Sequence, residues 1–216
     1  MFTTATAVLH SPSAHLRGKL SVLPAENKLS SNTQSIQMKL KELVVKQAIS
    51  APGVYLLALV TDNISSNPFH FSLQEFKNVK AGESLDLGPG GLVLYSNQNG
   101  LIPAYLHFRI LVMSSQDATR DFSKLLHRLS RHEDMTLLAG EIHDLTELTP
   151  GNLKVFSQVS EKILLLASRI LKNQKDEQLL QVIGSYDNAF DELGSTYGAV
   201  LLGNQQASLR LEVTVA

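Results

Sequence analysis

Strict alternation of apolar and polar residues constrains the fold of this chain more than any other feature. Successive side chains of a β-strand point to opposite faces of a sheet, so alternation predicts a strand with one buried and one solvated face. Four segments alternate in this way: residues 16–23, 36–40, 106–112 and 209–215. In the third, the pattern places His107 and Arg109 on the solvated face, opposite Phe108 and Ile110. A fifth segment, 54–61, is almost continuously apolar and predicts a central strand covered on both faces.

Turn-forming residues separate these segments. Pro52-Gly53, Asn67-Pro68 and the run Gly88-Pro89-Gly90-Gly91 supply the preset or positive φ angles that tight turns need. Strands joined at this spacing are typical of two packed sheets. With 216 residues the chain is long enough to bury a sizeable core. We predict a mainly β fold with an α insertion, in which the framework is an antiparallel β-sandwich of about eight strands.

The spacing of apolar residues becomes helical after Met113. Ser114 and Ser115 are available as N-caps of an amphipathic helix over residues 117–131, with its apolar face formed by Phe122, Leu125, Leu126 and Leu129. A short helix is expected over residues 137–148. A longer one over residues 155–171 has an apolar arc too broad for a surface helix, so it must pack on the first helix and on a further element.

Strand-like sequence resumes at residues 179–185, and the last strand comes from the end of the chain. The helical residues therefore interrupt a β chain and are not appended to it. We predict one domain, residues 1–216, with residues 114–176 forming a helical hairpin inserted before the last strands.

Composition excludes several classes of site and partner. The chain has no cysteine, which rules out disulfides, thiolate metal sites and a thiol nucleophile. Its 19 Lys and Arg nearly balance its 20 Asp and Glu, so no basic field marks nucleic acid as a partner. Residues 1–15 lack the features of a secretory signal and are interpreted as a first strand. No segment approaches the roughly 20 apolar residues of a membrane span, so we expect a soluble protein, with the cytoplasm as the default compartment.

Sequence motifs of catalysis are not found. There is no Gly-x-Ser-x-Gly elbow, and the seven histidines are scattered without an ordering motif. The loop of residues 88–91 lacks the Gly-Lys-Ser/Thr and the helix that would cradle phosphate. We expect a protein that is not an enzyme and needs no cofactor, with calcium as the one ion left open.

The calcium hypothesis rests on oxygen-bearing side chains near the ends of two strands. Asp187, Asn188 and Asp191 lie close together in sequence, and Asp62 directly follows the central strand. Calcium takes several carboxylate and carbonyl oxygens that converge from loops. These residues form one site only if the sheet brings both loops to the same end, and the alternative interpretation is a polar loop capped at Gly194.

A basic stripe runs along the helix predicted over residues 117–131. Its members recur at helical spacing opposite the apolar face: Arg120, Lys124, His127, Arg128 and Arg131. Such a stripe can attract anionic lipid or an acidic protein surface. It can also be a solvated outer face, since Asp117 and Asp121 partly neutralise it. Aromatic residues for base stacking are not interleaved with it, which argues against nucleic acid.

The succession of residues 35–40, 53–60, 76–87 and 106–112 resembles the strands of C2-like β-sandwich domains. The resemblance omits the helical block and implies the fold of the remaining chain. Many C2 domains bind calcium and phospholipid through aspartates in loops at one end. Here the loop of residues 47–52 contains no acidic residue, a departure from that pattern.

These observations favour a non-catalytic binding or structural module. In the first version it binds a protein partner or self-associates, through a sandwich edge or the helical hairpin. In the second it is a peripheral, C2-like phospholipid-binding module that docks on an anionic membrane, with or without calcium. A third hypothesis places a small-molecule or hydrolase site between the sheet and the helices.

Overall fold

The computed structural model describes residues 6–9, 36–65, 68–97, 101, 103, 105–116, 124, 127, 131–143, 150–171, 176–187 and 200–215. Within them the strands are β1 (Thr6–Leu9), β2 (Ile36–Val45), β3 (Gly53–Asp62), β4 (Phe69–Lys77), β5 (Leu92–Asn97), β6 (Tyr105–Ser115), β7 (Gln178–Asp187), β8 (Val200–Gly203) and β9 (Ala207–Val215). The helices α1 (Glu133–His143) and α2 (Pro150–Leu171) lie between β6 and β7 in chain order.

The described strands form two sheets that pack face to face. The larger sheet has the order β1-β7-β6-β3-β4 and the smaller one β5-β2-β9-β8. Four strands of each sheet are antiparallel to their neighbours, and β1 joins the larger sheet by pairing in parallel with β7. The prediction of a mainly β chain built as a β-sandwich is confirmed. The predicted strand at residues 16–23 lies outside the described residues.

The core between the sheets is built by alternation. In β2 the side chains of Ile36, Met38 and Leu40 are buried against the other sheet while the residues between them are half-buried. A bulge in the pairing with β9 then shifts the register by one residue, so that Leu43 and Val45 continue the buried row. The segments predicted at residues 36–40 and 209–215 are therefore half-buried strands, as expected.

Strand β3 is the central strand that its continuous apolar run predicts. It pairs with β4 on one side and β6 on the other, and all ten of its residues are buried. Its even-numbered apolar residues face the smaller sheet, and its odd-numbered ones face the helices. Burial on both faces is the reason for the uninterrupted apolar sequence.

The prediction that β6 has one solvated face is wrong. Its alternating sequence predicts a solvated face, yet all eleven of its residues are buried. The reason is α2, which packs across the outer face of β3 and β6 through Val159, Ile163 and Ala167. His107 and Arg109 are therefore buried beneath a helix instead of being solvated.

The junction between sheet and helices also differs from the expectation. Ser114 and Ser115, proposed as helix N-caps, belong to β6 and are buried. The Ser114 hydroxyl accepts a hydrogen bond from the Glu177 amide at 2.8 Å and so fastens the start of β7. Most of the helix predicted over residues 117–131 lies outside the described residues, although Lys124 and His127 are helical. The predicted domain limits, 1–216 and 114–176, stay a prediction.

Candidate functional site

The sheet brings the two ends of the predicted calcium site to the same side of the molecule. Asp62 ends β3 and Asp187 ends β7, and both strands are antiparallel to β6, which lies between them. Neighbouring strands lie about 4.8 Å apart, so the backbones at these two positions are about 10 Å apart. Asn188 and Asp191 lie outside the described residues. Calcium binding at this end therefore stays a prediction.

The carboxylate of Asp62 is fully buried and already engaged by the protein. Its Oδ1 accepts the amides of Ile64 at 2.9 Å and Ser65 at 2.7 Å, while its Oδ2 accepts the Ser65 hydroxyl at 2.5 Å and His70 Nε2 at 3.0 Å. A carboxylate has about four acceptor positions. Asp62 therefore closes the turn after β3. Within the described ranges, no three His, Asp or Glu side chains are grouped so that they could hold a metal ion.

These hydrogen bonds keep Asp62 ionised. Burial alone would raise its pKa, but the hydrogen bonds from His70, Ser65 and the Ile64 amide outweigh burial and lower the pKa to about 2. Burial and this neighbouring carboxylate together raise the pKa of Tyr95 above its usual range. The ring of Tyr95 packs edge-on against His70, with centroids 4.9 Å apart.

Ser65, His70 and Asp62 contain the residue types of a hydrolytic triad but not its geometry. In a triad the histidine lies between the other two and takes the proton of the serine. Here Asp62 is in the middle, and both Ser65 and His70 bond to it. The carboxylate that accepts from the Ser65 hydroxyl has a pKa of about 2, so it is too weak a base to activate that hydroxyl as a nucleophile.

A second group of polar side chains lies between the larger sheet and α2. We call it the anchor cluster, and its members are Thr61, Tyr105, His107, Arg109, Ser160 and Glu161. The Thr61 and Ser160 hydroxyls are 3.3 Å apart, and Arg109 Nε donates to His107 Nε2 at 3.3 Å. The guanidinium of Arg109 also lies 3.8 Å from the exposed carboxylate of Glu161 on α2.

The anchor cluster fixes the protonation state of His107. Burial, with a smaller contribution from the Arg109 charge, lowers the pKa of His107 to about 3. The neutral imidazole accepts at Nε2 from Arg109, so its proton is on Nδ1 and is donated to the Tyr105 hydroxyl at 3.3 Å. The cluster joins α2 to β3 and β6, and it satisfies polar groups that would otherwise be buried without partners.

Three members of the predicted basic stripe are described. Lys124 and His127 are exposed and helical, and Arg131 is exposed in the turn before α1. Arg120 and Arg128 lie outside the described residues. The exposure of these three side chains agrees with both interpretations of the stripe, a solvated face and a surface for an anionic partner.

A groove between α1 and α2 holds the two most exposed leucines among the described side chains of these helices, and we call it the helix groove. Leu137 of α1 is 69% exposed and Leu165 of α2 is 52% exposed, while Leu138 and Leu166 lie deeper. The groove has a volume of about 340 Å³, and its rim carries four charged side chains: Asp134, Glu141, Lys162 and Arg169. Glu141 and Lys162 form an ion pair across it at 3.5 Å.

The sequence patterns predict that α2 packs on a second surface, but they do not predict the anchor cluster or the helix groove. The signal for the cluster is the broad apolar arc of α2, which requires a second surface to cover, together with polar residues at alternate positions of the adjacent strand. The sequence signal for the groove is a leucine on each helix beside two charges of one sign that are seven residues apart.

A scan against models of known protein families finds no match to this chain, and a search of curated protein sequences finds no relative. Within the described residues, neither α1 nor α2 is both long and apolar enough to cross a membrane. The fold and the helix groove define a β-sandwich with one sheet covered by a helical layer. The C2-like resemblance stays a prediction.

Proposed function

We propose that this protein is a non-catalytic protein-binding module whose interaction surface is the helix groove. The observation that carries the proposal is the juxtaposition of Leu137 and Leu165, two strongly exposed leucines in one concave site with a charged rim. Apolar centres surrounded by polar rims are typical of protein interfaces. Full burial of a leucine side chain contributes about 1.5–3 kcal/mol relative to exposure.

Among the described residues, exposed apolar side chains outside the helix groove are not paired in this way. Val93 on β5 and Leu201 on β8 are exposed on separate strands at opposite edges of the smaller sheet. Apolar residues scattered singly over a surface are ordinary and need no partner. The pairing of two leucines across a groove is what distinguishes the helical layer from the sandwich edges.

The non-catalytic part of the proposal is supported by how the candidate catalytic side chains are used. Ser65 and His70 both bond to Asp62, an order that closes a turn. His107 is buried with both ring nitrogens engaged. The C2-like arrangement also belongs to this proposal, and its support is the two-sheet architecture with β2, β3 and β6 at the segments that carry the resemblance.

Site-specific photo-crosslinking in the native host cell tests the interaction surface. A photoreactive amino acid replaces Leu165 in one variant, and in the control it replaces Leu201, which has a similar exposed fraction on the sandwich. We expect ultraviolet-dependent cross-linked protein adducts from position 165 and few from position 201. Equal yields at both positions, or turnover of an ester, phosphate or glycoside substrate that is lost on His70→Ala substitution, would contradict the proposal.

Docking on an anionic membrane surface is the second candidate, favoured by the exposure of Lys124, His127 and Arg131. Co-sedimentation with phosphatidylserine vesicles should then increase with anionic lipid and decrease with salt, because such attraction is screened within about 8 Å at physiological ionic strength. The variant Lys124→Glu with Arg131→Glu should lose binding, whereas Lys77→Glu with Lys80→Glu should keep it. The same co-sedimentation with added calcium and with a chelator tests whether calcium assists membrane docking. No dependence on lipid charge excludes this candidate.

A further inference from the structure

We infer that the helix groove is occupied by a second copy of this chain, so that two helical hairpins form a four-helix bundle across a two-fold axis. This inference rests on the proposed function, because it names the partner for the same groove. An interface on a two-fold axis must be complementary to itself. The distribution of charge around the groove meets this requirement.

The rim is divided by charge between the two helices. Asp134 and Glu141 on α1 are both acidic, and Lys162 and Arg169 on α2 are both basic. Each pair is separated by seven residues, which is two helical turns or about 10.5 Å along the axis. The acidic pair and the basic pair therefore have the same spacing.

The ion pair between Glu141 and Lys162 sets these two residues at the same level. Asp134 lies seven residues before Glu141, Arg169 lies seven residues after Lys162, and both line the same groove. The two helices therefore run antiparallel along it, and Asp134 is level with Arg169. At each level of the groove one acidic residue faces one basic residue.

A two-fold axis along the groove, in the plane of its opening, places α1 of each copy over α2 of the other. Levels along the groove are preserved by this rotation, so Asp134 meets Arg169 and Glu141 meets Lys162 of the second copy. An axis across the groove would instead set acidic residues on acidic residues. The charges thus favour one of the two arrangements, and opposite charges at an interface contribute to register and orientation.

The apolar centre fits the same arrangement. Leu137 and Leu165 are close to the middle of the rim, and the rotation brings Leu137 of one copy over Leu165 of the other. Packing of antiparallel helical pairs around such a centre is the geometry of a four-helix bundle. The groove spans about two turns of each helix, so the buried area is small and belongs to the weak, reversible class below about 1,200 Å².

Two variants with reversed rim charges, measured separately and then mixed, test the inference. One variant carries Lys162→Glu with Arg169→Glu, and the other carries Asp134→Lys with Glu141→Lys. Sedimentation of the wild-type protein from about 1 µM to about 1 mM should show a reversible monomer–dimer equilibrium. Each variant alone should have a dimer Kd at least about tenfold higher, because like charges then meet across the axis. An equimolar mixture of the two should recover dimers.

Two controls accompany this experiment. Lys77→Glu with Lys80→Glu, at and just after the end of β4, changes the net charge by the same amount as Lys162→Glu with Arg169→Glu. This control should dimerise like the wild type. Far-UV circular dichroism and thermal unfolding confirm that each variant folds. A mixture that stays monomeric although each variant is folded would overturn the inference, as would a wild-type protein that is monomeric over the whole range.

The two proposals fail in different ways. If position 165 cross-links to a different protein in cells while the purified chain is monomeric, the protein-binding function stands and the second copy is excluded. If position 165 gives no adduct above that of position 201, the groove itself is not an interaction surface. Recovery of dimers in the mixed sample, together with adducts of twice the chain mass, supports both.

Discussion

The outer faces of both sheets carry polar side chains at alternating positions, but these side chains are partly exposed on the smaller sheet and buried on the larger one. On the smaller sheet, Lys41 pairs with Glu212 and Arg210 pairs with Glu42, each at 3.5 Å and each partly exposed. On the larger sheet, His107 and Arg109 are buried beneath α2. Solvent satisfies the first set, whereas the second depends on the anchor cluster. A polar residue therefore makes a small contribution on the open face and a large one on the covered face.

The largest expected effect comes from breaking the contact that covers the larger sheet. Ile163 is fully buried on the sheet side of α2, so Ile163→Asp places a carboxylate in an apolar layer. We expect a loss of at least about 4 kcal/mol in the free energy of unfolding, measured by urea denaturation. The control is Leu165→Asp, two residues away in the helix groove, which should change stability by less than about 1 kcal/mol. Equal losses would mean that α2 does not cover the sheet through this face.

Arginine substitutions compare the two outer faces directly. Arg109→Ala removes the donor to His107 Nε2 and leaves a gap beneath α2, for an expected loss of about 2–4 kcal/mol. Arg210→Ala removes an exposed ion pair with Glu42 and should cost less than about 1 kcal/mol. Arg109→Met, which keeps most of the volume, should fall between them. Chemical denaturation of the three variants measures the order, and an Arg210→Ala loss as large as that of Arg109→Ala would contradict the comparison.

The next effect concerns Asp62, at the end of the larger sheet. Its folded pKa of about 2 lies below the ordinary value of 3.8, so its ionised form contributes stability above about pH 4 that is lost as the pH falls through 2. The contribution is about 2 kcal/mol. Asp62→Asn should therefore be destabilised at pH 7 and approach the wild type near pH 2.

Unfolding measured across this pH range tests the Asp62 prediction. Glu212→Gln on the open face of the smaller sheet is the matched control, and it should stay close to the wild type at every pH. A difference between Asp62→Asn and the wild type that does not shrink on acidification would show that the carboxylate is not held ionised by its four hydrogen bonds.

The last prediction is spectroscopic. Because the pKa of His107 is lowered to about 3, its imidazole should not titrate between pH 5 and pH 8, and long-range ¹H–¹⁵N correlations should show a proton on Nδ1. Its folded pKa lies below its unfolded value of 6.5, so this residue reduces stability as the pH falls below about 6.5. Titration of the His107 resonances near neutral pH would mean that water reaches the covered face.

Sequence patterns predict part of this architecture for a physical reason. Alternation in β2 and β9 and the continuous apolar run of β3 report which side chains share a face, and these strands are as expected. Alternation in β6 does not report whether a face is covered, since that depends on α2, a helix that begins 35 residues after the strand ends. The bonds of Asp62 to Ser65 and His70 depend on the turn between β3 and β4 and on their register, so composition and spacing alone did not reveal them.

The most direct test of a covered outer face uses the absence of native cysteine. The Thr61 and Ser160 hydroxyls are 3.3 Å apart between β3 and α2, so a variant with Thr61→Cys and Ser160→Cys brings two thiols close enough to form a disulfide. Mild oxidation should give an intramolecular cross-link detected by peptide mapping, with no free thiol left. The control with Thr61→Cys and Arg210→Cys, whose second site lies on the other sheet, should not cross-link within one chain. Two free thiols in the oxidised Thr61/Ser160 variant would contradict the placement of α2 on the sheet.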